Sequence, residues 1–259
     1  MLAFFVVLLV SFAVMNALPA DGLLQACAQE AVLALMALAV VAFALPGSLR
    51  RCTVDVQHRS LVRFVAISLL VVGFIGGVIS LVTWCISDAV NVSGAATSPL
   101  PSVGEVAKNL LLLLGICALT GIYEEAFMRV LGIEAFESAL GTKRAVVTSA
   151  LLFALLHVGV PDAPVSQLVL MQSALKFLQA LLFGAILGTL YAQTRRLWPC
   201  ALLHAGFDAL YLGPRVFLMG ALPATYASGA TGDTVLLTVT IALLAVTAIV
   251  LAKKVAQAS

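Results

Sequence analysis

"GIYEEAFMRVLG", Gly121–Gly132, places Glu124, Glu125 and Arg129 inside an otherwise apolar helical run. It continues "KNLLLLLGICALT", Lys108–Thr120, which reads as the body of a membrane helix. Each acid or base held near the middle of a bilayer costs about 2.5–3.5 kcal/mol on insertion scales. Three such charges in one span therefore have partners or a task, and the search for them organises the rest of the chain.

Working outward, the 259 residues are 63% hydrophobic and 10% charged, far from the roughly 45–50% apolar and 25% charged of a soluble domain. This is the composition of an all-α integral membrane protein. Apolar runs close to the roughly 20 residues needed to cross a bilayer occur eight times: Leu2–Leu18, Glu30–Leu45, Val62–Ile86, Ala107–Leu131, Ala145–Val160, Leu175–Gln193, Leu197–Leu212 and Thr234–Ala252. The expected architecture is a polytopic bundle of about eight transmembrane helices. Turn signals separate the spans, among them "SGAATSPLPS", "GVPDAP" and "LGPR". The first run is expected to be a span, not a cleaved leader, because no Lys or Arg precedes it and "NALPADG" makes a poor cleavage site.

Positive charge orients the bundle. Short cytoplasmic loops carry an excess of Lys and Arg, and Arg50, Arg51, Arg59, Arg63, Lys143, Arg144, Arg195, Arg196, Lys253 and Lys254 all fall on one side of the expected spans. Lys108, Lys176 and Arg215 fall on the other, so both termini are expected to be cytoplasmic and the protein to lie in the cell membrane. A net charge of +2, thinly spread, gives no reason to expect nucleic acid as a partner. Cys27, Cys52, Cys85, Cys117 and Cys200 show neither a metal spacing nor a disulfide framework. No internal repeat is apparent, and "GAILG", Gly184–Gly188, offers a pair of small residues for close helix packing.

Three more ionisable groups enter the membrane: His157 closing "SALLFALLH", and His204 with Asp208 in "LWPCALLHAGFDAL". At 1.5 Å per residue, Glu124 and His204 lie about 10 Å from the cytoplasmic boundary, Asp208 about 16 Å and His157 about 18 Å. One layer thus gathers two carboxyls and two imidazoles, the groups that water activation requires. Glu125 and Arg129 stand four apart on one helix face, the spacing of an ion pair. Glu124 is turned by roughly 100° from Glu125 and is the freer carboxylate.

At these residues the chain resembles a known family. "EEAFMR" (Glu124–Arg129), "FALLH" (Phe153–His157) and "HAGFD" (His204–Asp208) fit the EExxxR, FxxxH and HxxxN/D motifs of the CPBP intramembrane proteases, which include CaaX prenyl endopeptidases and bacteriocin-processing, Abi-type enzymes. The resemblance divides the chain into N-terminal membrane helices over 1–106, a CPBP-like core over 107–212 and a C-terminal helix over 213–259. It implies an endopeptidase acting on a membrane-associated peptide or protein, with Glu124 and His157 activating water and His204 and Asp208 on the oxyanion side. Glu125 and Arg129 would be supporting residues. The family more often has asparagine where this chain has Asp208, so the acid is expected to carry a proton and donate as the amide would.

The resemblance leaves the cofactor open, since members have been described as metalloproteases and as glutamate-dependent enzymes without metal. Glu124, His157 and His204 are the candidate ligands for a divalent metal such as zinc. The absence of HExxH favours a site without metal. Two other classes also bury such groups: a proton-coupled transporter, which should show broken helices or inverted repeats, and a non-catalytic, immunity-like membrane adaptor, which should lack a motif residue. The sequence shows neither mark.

Overall fold

The computed structural model describes residues 1–18, 22–49, 54–91, 101–158, 164–220, 222 and 226–258, and within them it is helical with no strand. The helices are α1 (Leu2–Ala17), α2 (Leu23–Ala44), α3 (Arg59–Asn91), α4 (Val103–Glu125), α5 (Glu134–Leu140), α6 (Thr142–Leu156), α7 (Gln167–Thr194), α8 (Leu197–Met219) and α9 (Thr231–Ala258). A π-helical segment, Ala126–Ile133, joins α4 to α5 without a break. The eight expected spans correspond to α1, α2, α3, the α4–π–α5 rod, α6, α7, α8 and α9. Five of the described helices are long and apolar enough to cross a membrane. Large apolar side chains such as Leu9, Leu35, Phe43, Phe74 and Leu202 point outward, as lipid-facing residues do. The protein is a polytopic helical membrane protein.

Several boundaries differ from expectation, each for a local reason. Ser102 and Glu105 close a capping box at the start of α4: Ser102 N–H donates to Glu105 Oε2 at 2.7 Å, and Glu105 N–H donates to Ser102 Oγ at 3.3 Å. Ser166 Oγ accepts from Val169 N at 3.2 Å, so α7 begins at Gln167 and carries Lys176 well inside the helix, not at its mouth. α2 begins at Leu23, which moves Glu30 from the end of a span to its interior. "LGPR", expected as a turn, lies within α8. The expected turn over 93–102 lies largely outside the described residues, as does that over 159–164.

Pro214 is tolerated inside α8 because α3 covers the bond it cannot make. Proline has no N–H for the carbonyl four residues back, here that of Leu210. That oxygen instead faces Gly77 so closely that a methyl group on the glycine would lie 2.2 Å from it. Gly121 plays the same part between α4 and α8: a methyl group there would come within 2.6 Å of the Ala201 carbonyl oxygen. Absence of a side chain at these two positions lets α8 lie backbone against backbone with both neighbours. The paired glycines of "GAILG" are used similarly, with Gly184 against Ala150 and Gly188 against Val146, seating α7 on α6.

Helix contacts close a ring. α8 packs between α4 and α3, α3 against α9, α9 against α7, α7 against α6, and α6 against the π segment that continues α4. α2 backs α4, and α1 leans on α2 and the π segment. At one end Arg195 holds Glu134 at 2.9 Å and Glu137 at 2.6 Å, while Arg196 reaches Asp55 at 3.5 Å. Lys143 and Lys254 each border a surface cleft shared with Gln193 at that same end. Lys143, Arg195, Arg196 and Lys254, four of the basic residues expected on one face, thus gather there. Arg50 and Arg51 lie outside the described residues.

Candidate active site

The backbone contact at Gly121 sets the site, because it brings the last turn of α4 against the first turns of α8. Glu125 and His204 meet across it: the Nδ1–H of His204 donates to Glu125 Oε1 at 2.9 Å. The other Glu125 oxygen accepts from Arg129 Nε at 3.0 Å. Arg129 also donates to Ser149 Oγ of α6 at 3.2 Å, and that hydroxyl donates to the Met128 carbonyl at 2.7 Å. Phe153 lies under the guanidinium, 4.8 Å from ring centroid to Cζ, a cation–π contact. The expected ion pair is therefore one corner of a chain that runs from α6 through Arg129 and Glu125 to His204.

Glu124 faces the other way. Its Oε2 lies 3.6 Å from His157 Nε2 and 3.5 Å from His204 Nε2, and it has no hydrogen-bond partner although the atom is buried. Asp208 Oδ2 stands 3.4 Å from the same His204 Nε2. His157 Nδ1 is 2.8 Å from the Phe153 carbonyl; a carbonyl only accepts, so this nitrogen carries the proton and Nε2 turns toward Glu124. The Phe153 ring packs on the His157 ring with centroids 4.1 Å apart. The phenylalanine of the FxxxH pattern thus fixes the imidazole through both its carbonyl and its ring.

Exposure sorts these residues into two groups. The side chains of Glu125 and Arg129 are 0% exposed and that of His204 is 3% exposed, whereas Glu124 and Asp208 are 20% and His157 27% exposed. Buried groups hold the frame, and the half-open ones face space. A cleft of about 150 Å³ opens beside Glu124 and His157, walled by Leu8, Ser11, Phe12 and Met15 of α1. A second cavity of about 40 Å³ lies on the far side of His157, against His204, Asp208 and Lys176. All four residues expected to carry chemistry, and both expected to support them, are brought together.

Three neighbours escape a reading by motif. Ser149 anchors Arg129, but a serine in an apolar helix carries no signal of its own. Glu30 of α2 faces Thr120 and lies within electrostatic reach of His204 and Asp208, with its Oε2 buried and unpartnered. Lys176 lines the smaller cavity. The last two were legible in principle, Glu30 from the apolar residues that precede it in "LLQACAQE" and Lys176 from the serine cap ten residues before it.

Among the described residues no group of three or more His, Cys, Asp or Glu side chains forms a site that would hold a metal ion. The cysteines described, Cys27, Cys85, Cys117 and Cys200, are free thiols.

No curated protein and no solved structure matches the chain. A family model does match, and its span, residues 106–210, holds Glu124, Glu125, Arg129, His157, His204 and Asp208 together. That model is described as type II CAAX prenyl endopeptidase Rce1-like, a match consistent with the resemblance to CPBP intramembrane proteases.

Proposed function

We propose that the chain is an intramembrane endopeptidase that hydrolyses a peptide bond in a membrane-associated peptide or protein, with Glu124 as general base. The family match supports a protease of CAAX type at the coarse level. The observation that carries the finer reading is the unpartnered Glu124 Oε2 beside two imidazole nitrogens, at 3.6 and 3.5 Å. A water held there gives one hydrogen bond to the Glu124 carboxylate and one to His157 Nε2. Glu124 removes the first proton as the oxygen attacks the substrate carbonyl carbon. The negative charge that develops on the carbonyl oxygen is met by His204 Nε2, with Nδ1 committed to Glu125, and by Asp208. Collapse of the tetrahedral intermediate breaks the C–N bond, and Glu124 returns its proton to the leaving amine. No step uses a metal.

The gathering of basic residues at one end supports an orientation with both termini in the cytoplasm, which puts the catalytic layer in the inner half of the cell membrane. Incubating the protein in detergent with a library of membrane peptides, prenylated and not, and comparing it with Glu124→Gln by mass spectrometry tests the activity and identifies the substrate. Peptides cut equally by both proteins would end the proposal.

Asp208 and the metal question have their own tests. If the proton-bearing acid donates to the oxyanion, Asp208→Asn retains activity within about tenfold of wild type. Collapse of turnover in that variant would mean that the carboxylate charge itself is required. Protein prepared in a strong chelator is expected to cleave at full rate with far less than one metal per chain. Activity lost to the chelator and regained only with zinc would make Glu124 a ligand, not a base.

A further inference from the structure

We propose that Lys176 is a further catalytic residue, its ammonium stabilising the negative charge that forms on the substrate carbonyl oxygen in the cavity it shares with His204 and Asp208. The proposal rests on the endopeptidase reading above. Lys176 lies about 13 Å along α7 from Gln167, at 1.5 Å per residue, and so stands at the depth of the site. Its Nζ donates to Gln179 Oε1 at 3.1 Å. Gln179 is itself fixed, since its amide donates to Tyr211 Oη at 3.0 Å and to Thr240 Oγ1 of α9 at 2.6 Å. The rings of Tyr211 and Tyr226 flank the ammonium at 5.9 and 5.4 Å. A lysine that served only as a surface charge would have no use for this scaffold.

One ammonium donor is committed to Gln179, leaving two for the cavity. Lys176 interacts electrostatically with Asp208, which borders that space, and with Glu124. Attack by water adds a negative charge to a region already rich in carboxyls, with Glu30, Glu124 and Asp208 close by. Arg129 does not offset it, because its charge is spent on Glu125 and its side chain is sealed off. The ammonium that faces the cavity is that of Lys176. A volume of about 40 Å³ accepts a carbonyl oxygen or a few waters but not the end of a peptide, so the charge is suited to the reacting oxygen and not to a terminal carboxylate.

The test measures kcat and KM on the peptide identified above for Lys176→Met, Lys176→Gln, Lys176→Arg and Lys176→Ala, with Glu124→Gln as reference. Loss of a transition-state charge partner is expected to lower kcat by about 10²- to 10³-fold in the methionine and glutamine variants, with KM nearly unchanged. Arginine should recover a large part of the rate, and propylammonium added to the alanine variant should restore measurable turnover. Glutamine keeps a hydrogen bond for Gln179 without the charge, which covers unfolding of the methionine variant. A kcat within about threefold of wild type in the neutral variants, a loss confined to KM, or an arginine variant as slow as methionine would overturn the role of Lys176. The endopeptidase reading falls separately, on a Glu124→Gln protein that still cleaves.

Discussion

Glu124→Gln is expected to lower turnover by about 10²- to 10⁴-fold, the range that a general base contributes, while leaving the protein folded and in the membrane. The substitution preserves volume and shape and removes only the capacity to take a proton. It has little reason to disturb packing, because Glu124 Oε2 makes no hydrogen bond that the amide would lose. His157→Ala tests the partner at 3.6 Å and should fall in the same range. The measurement is single-turnover cleavage of the identified peptide, with thermal unfolding in detergent as the control. A folded Glu124→Gln protein at near wild-type rate would remove Glu124 from the mechanism.

Arg129→Ala is expected to be the most destabilising single change in the site. It strands the Glu125 carboxylate at 0% exposure, frees the Ser149 hydroxyl and empties the space over Phe153. Breaking a buried pair from one side typically costs about 3–5 kcal/mol. Activity should fall as well, since Glu125 would no longer be held where His204 Nδ1 donates to it. Changing both members, Glu125→Gln with Arg129→Gln, removes the two charges together and should recover part of the stability but not the rate. Additive losses in that cycle would mean that the pair contributes no coupling.

The same physics decides what the sequence reveals. A carboxylate or imidazole inside an apolar run is expensive enough to announce itself, which is why Glu124, Glu125, Arg129, His157, His204 and Asp208 are legible in the sequence, and why the spans are countable there. Groups at the edge of a run announce nothing. Glu30 and Lys176 read as helix ends because hydropathy has no sharp boundary, whereas α7 is bounded by the Ser166 cap and α2 starts a full seven residues before Glu30. Backbone irregularity is quieter still. The π turn of Ala126–Ile133 has every residue buried, so its composition matches that of an ordinary core helix, although such insertions recur at functional sites. Pro214 misled for the opposite reason: it is a strong local signal, overridden by the seat that Gly77 provides for the Leu210 carbonyl.

The contact at Gly121 also bears on how a substrate enters. Helices joined by interdigitating side chains can part by degrees as rotamers change, but a glycine resting on the carbonyl of Ala201 has nothing between the two main chains to relax. α4 and α8 therefore travel as one piece, and Glu125 of one stays in register with His204 of the other. Access is left to a wall that is not bound in this way, α1 over the cleft. The entrance can widen and narrow there while the chemistry keeps its alignment.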